Sequence, residues 1–402
     1  MKRILSKEKP VIDPQELIKE LSIEEFNKYS DEYYKKLPLP TFQQAKPFSA
    51  SGETAQHFVH LGLLFEALQL GPSLKVLDFG AGTCWVSKMI WQMGCSVVST
   101  DVSEEALKLG EDLVTKYPVP KNTKSNWEGR LFDGHRIDAS DEYFDRIICY
   151  DVFHHVPNQE TVIKEFYRVL DNGGIIGFSE PLGDHSSSAE SQKEMRDFTV
   201  LENDLDMHKL ADLFNSVGFK GPYFKVAADP SLAFSLEERD SLMQGVMPEQ
   251  GLSKIQDFIG SKGIYWFTKG DPVQDSRRPE GLSHIIVPEK PEYKAKIGEI
   301  LEVKLKLENN GTSRWLHDNE DVFGVVNVGT RLIDPSSGEV IADHARARFP
   351  HDIDAGVTYE MTIPLTFEKI GIYTARIELV SEYVCWFSDQ GSDPAVITIN
   401  VT

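Results

Sequence analysis

The hydrophobic period of this chain changes near residue 280, and that change restricts it to a two-part architecture. Before it, short apolar runs bounded by turn residues alternate with helical patterns: Lys75–Gly80, Ser96–Asp101, Phe144–Tyr150 and Gly174–Ser179. Runs this short and this apolar suit strands buried on both faces of a parallel sheet. Helices are predicted between them. Ser103 is a fitting N-cap, with Glu104 and Glu105 in the positive first turn ahead of Leu107, Leu109 and Leu113. Val162, Ile163, Phe166, Tyr167 and Leu170 repeat at helical spacing, and Asn172-Gly173-Gly174 is expected to end that helix. Strand and helix in alternation predict an α/β fold with a doubly wound sheet.

Beyond about Leu282 the period is two. Leu301, Val303, Leu305 and Leu307 alternate with charged residues, and Asn310-Gly311 supplies a turn. Tyr359 to Phe367, Tyr373 to Leu379 and Ala395 to Val401 alternate in the same way. Half-buried strands without helices predict an all-β sandwich over residues 283–402. Residues 271–282, rich in Gly, Pro and Asp, read as a linker. Residues 1–50 read as a polar, helix-rich N-terminal cap, and residues 51–270 as the α/β domain.

The formal charge of −21, from 42 Lys and Arg against 63 Asp and Glu, argues against a nucleic-acid partner. The basic pair Arg277-Arg278 is flanked by Asp275 and Glu280 and makes no patch. The opening Met1–Ser6 turns polar at once, so no signal peptide is expected. The apolar stretch Leu61–Leu70 carries Glu66 and falls short of the ~20 residues of a membrane span. Four cysteines without a CxxC pair are expected to be reduced thiols, which points to the cytoplasm. Oligomeric state is left open.

The chemistry concentrates in Asp78-Phe79-Gly80-Ala81-Gly82, at the first strand-to-helix turn. Glycines at 80 and 82 permit a tight turn and close approach of a ligand. A dinucleotide fingerprint would place a third glycine where the chain has Trp85, which disfavours a nicotinamide dehydrogenase. Asp78 suits a cationic ligand, Asp101 closes the next strand where ribose hydroxyls would donate, and Asp133-Gly134 stand at the end of strand three.

With Asp151-Val152-Phe153-His154-His155-Val156-Pro157 after strand four, this set resembles the class I S-adenosylmethionine-dependent methyltransferases over residues 50–270. The resemblance implies a Rossmann-like fold and S-adenosylmethionine as cofactor, with last strands at Tyr223–Val226 and Ile264–Phe267. It implies Gly80, Ala81 and Gly82 at the methionine part, Asp101 and Val102 at the ribose, and Asp133 and Gly134 at the adenine. Asp151, Val152 and the following residues then fall on the sulfonium side.

An oxygen acceptor must lose its proton as it attacks, so a base is expected at the carboxyl edge of the sheet. His155 is the first candidate, with His154 and His185 as the alternatives; either member of the pair 154–155 is equally read as orienting its loop. The stretch Ser179–Glu202 is similar to methyltransferases of bacterial surface-polysaccharide pathways. Residues 343–350 and 379–387 resemble a β-domain of glycan-assembly proteins. A sugar or glycan acceptor follows from that resemblance. The alternatives are another small-molecule acceptor, or a non-catalytic cofactor-binding scaffold whose β-domain holds a glycan or a protein. Trp315 and Trp386 are expected in the core rather than stacked on sugar. No metal site is expected, because the sequence shows no clustered His/Asp spacing.

Overall fold

A computed structural model of the chain describes residues 11–116, 125–318 and 322–402. The opening Met1–Ser6, and the signal-peptide expectation that rests on it, lie outside the described residues. The chain divides into two compact units, Met1–Pro272 and Val273–Thr402.

The first unit begins with helices α1 (Pro14–Glu20), α2 (Ile23–Lys36), α3 (Pro40–Gln44) and α4 (Ser51–Ala67). There follow β1 (Lys75–Phe79), α5 (Trp85–Gln92), β2 (Ser96–Asp101), α6 (Glu104–Lys116), β3 (Trp127–Leu131) and β4 (Phe144–Tyr150). Then come α7 (Gln159–Val169), β5 (Leu170–Pro181), α8 (Ala189–Phe198), α9 (Met207–Val217), β6 (Lys220–Phe224), α10 (Leu236–Met243), α11 (Glu249–Ser261) and β7 (Lys262–Thr268). The strands form a sheet ordered β3-β2-β1-β4-β5-β7-β6, parallel except where β7 pairs antiparallel with β5 and β6. This is a Rossmann-like sheet, and its order reverses between β1 and β4, where such sheets bind ligands.

Continuous apolar runs arise because successive residues of a strand enter different cores. Leu77, Ile147 and Ile176 pack on one face with Phe153, Phe166 and Phe178. Val76, Ile148 and Ile175 pack on the other with Leu64 and Ile90. Ser103 caps α6 through its Oγ, which accepts from the Ala106 N–H at 3.0 Å. Helix α7 ends at Val169, earlier than the Asn172-Gly173-Gly174 stop predicts. Those three residues belong to β5, where the pairing shifts between Phe144 and Arg146. The strand expected at Tyr223–Val226 is β6, three residues earlier and largely exposed at the sheet edge.

The second unit contains β8 (Ile285–Pro288), β9 (Glu292–Ala295), β10 (Ile300–Glu308), β11 (Val326–Ile333) and β12 (Val340–Arg348). It continues with β13 (Thr358–Thr366), β14 (Gly371–Ser381), β15 (Cys385–Trp386) and β16 (Ala395–Val401). One sheet runs β13-β10-β8 and the other β12-β11-β14-β16-β9, with β15 on β14. Val303, Leu305 and Leu307 of the first share one core with Ile377, Leu379, Ile397 and Ile399 of the second.

The linker reading of 271–282 requires correction from Val273 onward. The Ser276 hydroxyl donates to the Gly324 carbonyl at 2.6 Å, Asp275 bridges to Arg314, and Leu282 is buried in the core of the second unit. Its Gly, Pro and Asp residues form turns packed on the sheets instead of a free tether. Trp315 is buried as expected. The Trp386 ring is half-buried, with the guanidiniums of Arg331 and Arg346 centred 3.8 and 4.6 Å from it. Cys84, Cys95, Cys149 and Cys385 are thiols that form no disulfide. Among the described residues no helix is long and apolar enough to cross a membrane.

Candidate functional site

The turn after β1 needs its glycines. Gly80 and Gly82 have φ of +66° and +52°, a region that costs an L side chain about 1–2 kcal/mol. A Cβ on Gly80 would lie 1.9 Å from Val152 Cγ2, and one on Gly82 would lie 2.7 Å from Tyr34 Oη. The turn thus passes hard against the loop after β4 on one side and α2 on the other. Trp85, in place of a third glycine, is buried edge-on to His57 and Tyr150, with centroids 5.3 Å from each.

Asp101 holds the turn. Its Oδ2 accepts from the Gly82 N–H at 2.8 Å and its Oδ1 from the Ser103 N–H at 2.9 Å. Burial raises its pKa against these bonds. Burial also pushes Asp78 up to about 7, although the Ser87 hydroxyl donates to it at 2.5 Å.

Two cavities meet at Gly80. The first is largely apolar and is lined by Ile23, Phe26, Phe79, Val102, Phe132, Gly134, Val152 and Val156, with Asp101 and His155 among them. The second is polar and is lined by Tyr34, Gln43, Lys46, Asp78, Ala81, Gly82, Tyr150 and Asp151. Burial disfavours the Asp151 charge, but Lys262, whose Nζ lies 2.6 Å away, outweighs it and lowers the pKa. Of the expected cofactor residues, Asp133 lines neither cavity. It is exposed, and its Oδ1 accepts from the His135 and Arg136 N–H groups at 2.7 Å, which shapes the turn carrying Gly134.

The three candidate histidines converge on Glu202, a residue the sequence offers no local signal for. His185 Nε2 lies 2.7 Å from Glu202 Oε2, His154 Nε2 lies 3.7 Å from the same oxygen, and His155 Nδ1 lies 3.6 Å from Oε1. Burial opposes the Glu202 charge, yet His155 and His185 hold its pKa down to about 2. The converse effect raises His155: burial works against its protonation, and Glu202 overrides it.

His155 Nδ1 sits 2.5 Å from the Leu201 carbonyl. A carbonyl only accepts, so Nδ1 carries the hydrogen and Nε2 is the nitrogen able to take a proton. His154 is buried behind it, with Nδ1 2.6 Å from Glu180 Oε2. Its pKa falls well below 6.5 through burial and the neighbouring His155. Glu180 also accepts from the Val152 and Phe153 N–H groups, each at 2.9 Å, so it anchors the loop; burial raises its pKa to about 7.

Contrary to the expectation of no metal-like cluster, His154, His155 and Glu202 offer ligand atoms within 4.8 Å of one another. The two histidines are neighbours on the loop after β4 and Glu202 comes from a second loop, so linear spacing could not reveal the group. Their hydrogen bonds to Glu180, Leu201 and His185 make the group a proton-holding network as it stands.

Residues 77–178 match the family described as "Methyltransferase domain". The demethylmenaquinone methyltransferase of Streptomyces griseus is 31% identical over 118 residues, covering 29% of this chain and 47% of the relative. A ubiquinone biosynthesis O-methyltransferase of Shewanella is 28% identical over 105 residues, 26% of this chain and 42% of the relative. The chain thus spans less than half the length of these curated relatives.

Among solved structures, phosphoethanolamine N-methyltransferase 2 of Haemonchus contortus in complex with S-adenosyl-L-methionine is 15% identical. The likeness covers 63% of this chain and 60% of that one, with a TM-score of 0.43. An S-adenosylmethionine-dependent methyltransferase from Mesorhizobium loti is 14% identical over 54% of this chain and 98% of that one, with a TM-score of 0.40. Within the first unit, residues 77–178 are thus the segment similar to a methyltransferase domain.

Proposed function

We propose that the protein transfers the methyl group of S-adenosylmethionine to a hydroxyl of a sugar, either a nucleotide sugar or a glycan terminus, in bacterial polysaccharide synthesis. The carrying observation is the junction of the two cavities at Gly80, with His155 bordering the first. The cradle fits the cofactor: a Cβ at Gly80 or Gly82 would close it, the apolar chamber suits an adenosine, and the charged chamber suits an amino-acid end. Each Asp101 oxygen accepts one backbone N–H and keeps a lone pair for a ribose hydroxyl. When bound, S-adenosylmethionine supplies an electrophilic methyl group on a sulfonium.

In this reading His155 Nε2 takes the acceptor's proton, and Glu202 stabilises the imidazolium that results. His154 and Glu180 hold the loop. A sugar acceptor is supported by the resemblance of residues 179–202. It is also supported by a groove of mixed polarity, where Asp13, Gln15, Gln159, Ser186, Asn203 and Asp204 stand among aliphatic residues and which shares Pro157 with the apolar cavity. The second unit is read as a β-sandwich that binds a glycan or a protein partner. We read the setting as cytoplasmic, in keeping with four cysteines held as thiols.

The test is mass spectrometry of a panel of nucleotide sugars incubated with the full chain and S-adenosylmethionine. A sugar product heavier by one methylene bears the proposal out. Methylation of quinones or other small molecules alone would refute the sugar assignment. Cofactor binding without turnover on any acceptor would make the chain a scaffold.

A further inference from the structure

The groove beside the catalytic loops has one wall from the segment Val11–Ile18 and another from α9 and the loop before it. It holds about 790 Å³, and Pro157 joins it to the cavity that His155 borders. Its polar side chains are largely committed to the protein itself. Asp13 Oδ1 accepts from the Gln15 N–H at 2.9 Å, and Asp206 Oδ1 from the His208 and Lys209 N–H groups at 3.0 and 3.2 Å. The two oxygens of Asp204 accept from the Ser186 N–H and hydroxyl at 2.8 and 2.7 Å, and Gln15 Nε2 donates to Asn203 Oδ1 at 2.9 Å.

What stays uncommitted is hydrocarbon. Val11 is 78% exposed, and Ile12, Ile18, Pro157 and Leu213 are half-buried along the groove. The charges point the same way. Lys209 is the only cation among the described lining residues, and its Nζ lies 3.5 Å from Asp206 Oδ2. A diphosphate here would face Asp13, Asp204 and Asp206 with that one paired ammonium to offset them. An aliphatic chain laid on the wall leaves water at no electrostatic cost.

We infer that the groove holds a hydrocarbon aglycone, so that the acceptor hydroxyl belongs to a sugar linked to an aliphatic chain and not to a nucleoside diphosphate. This rests on the sugar reading above and narrows it. The reaction then consumes the product of a glycosyl transfer onto an aliphatic alcohol, instead of modifying an activated sugar donor.

Titration calorimetry on the full chain loaded with S-adenosylhomocysteine tests this, with butyl glucoside, octyl glucoside, UDP-glucose and n-octanol as probes, all below micellar concentrations. Octyl glucoside should bind about 10-fold or more tighter than butyl glucoside, the worth of four further methylenes partly buried, and tighter than UDP-glucose. Val11→Asp, at an exposed position that does not carry the fold, and Ile18→Asp should each cut that gain below about 3-fold by setting a charge against the chain. The Kd for S-adenosylhomocysteine should stay unchanged in both. No gain with chain length, a gain untouched in both variants, or tighter binding of UDP-glucose overturns the assignment. If n-octanol binds as tightly as octyl glucoside, the hydrocarbon site stands and the sugar reading fails.

Discussion

Replacing Glu202 with glutamine should move the pH dependence of methyl transfer toward acid. Glu202 Oε1 lies 3.6 Å from His155 Nδ1, and its charge is what carries the His155 pKa above 6.5 against burial. An opposite charge at such a distance shifts a pKa by roughly 1–3 units, and the substitution would remove the charge while keeping an oxygen for His185. The sign is fixed by which form works. A base acts unprotonated, so kcat/KM of the unsubstituted enzyme should rise with pH through a midpoint above 6.5. In Glu202→Gln that midpoint should fall by about 1 unit or more.

The plateau at high pH should also fall, because a less basic imidazole accepts a proton less readily and its cation loses its partner. The assay is initial-rate methyl transfer from about pH 5 to 9, with thermal melts of both proteins to confirm equal folding. An unchanged midpoint in a folded variant would show that His155 is not the titrating base, or that Glu202 does not control it.

Gly80→Ala should raise the Kd for S-adenosylhomocysteine at least about 10-fold and lower the melting temperature. It would hold alanine at φ +66° and drive a Cβ to 1.9 Å from Val152 Cγ2, at a cost of about 1–2 kcal/mol for the backbone alone. Unchanged affinity would detach the turn from the site. In the second unit, His284 is 3% exposed, neither ring nitrogen has a hydrogen-bond partner among the described residues, and burial lowers its pKa to about 4. Between pH 6.5 and 4 the unfolded chain takes this proton and the folded one does not, so stability should drop by about 3 kcal/mol as pH falls through that window. His284→Phe, stacking on Phe387, should flatten the slope in pH-dependent denaturation; an unaltered slope would refute it. Residues 273–402 expressed alone should unfold cooperatively with a β-type circular dichroism spectrum, whereas a fragment starting at 283 should be less stable because it lacks Ser276 and Leu282. Equal stability of the two fragments would contradict the packing described for 273–282.

The strands that position the turn were legible because both of their faces are buried: Lys75–Phe79, Ser96–Asp101 and Phe144–Tyr150 stand out as apolar runs. So was the alternation of β10, β13, β14 and β16. β11 was not, since Val326–Thr330 are buried without a break and show no period of two. Nor was β12, an edge strand with Val340–Asp343 exposed.

The glycine turn, Asp101 and the histidines could be read because they lie beside strands and carry a local pattern. Glu202 could not: it reaches His155 only after α7, β5 and α8 have folded the chain back. The role of the cap could be glimpsed only as helical periodicity. Ile23, Phe26, Asn27, Ser30 and Tyr34 fall on one face of α2 and line the two cavities, but nothing local says what that face covers. Asp133 stands in the expected place at the end of β3, with Oδ1 engaged by its own turn.

The most direct test of the central claim is the split between chemistry and cofactor binding in His155→Ala. The account predicts a kcat lower by ~10²–10⁴-fold, the usual worth of a positioned base, with the Kd for S-adenosylhomocysteine nearly unchanged. Full turnover in His155→Ala, with the loss appearing instead in His185→Ala, would contradict it and move the base to the loop after β5.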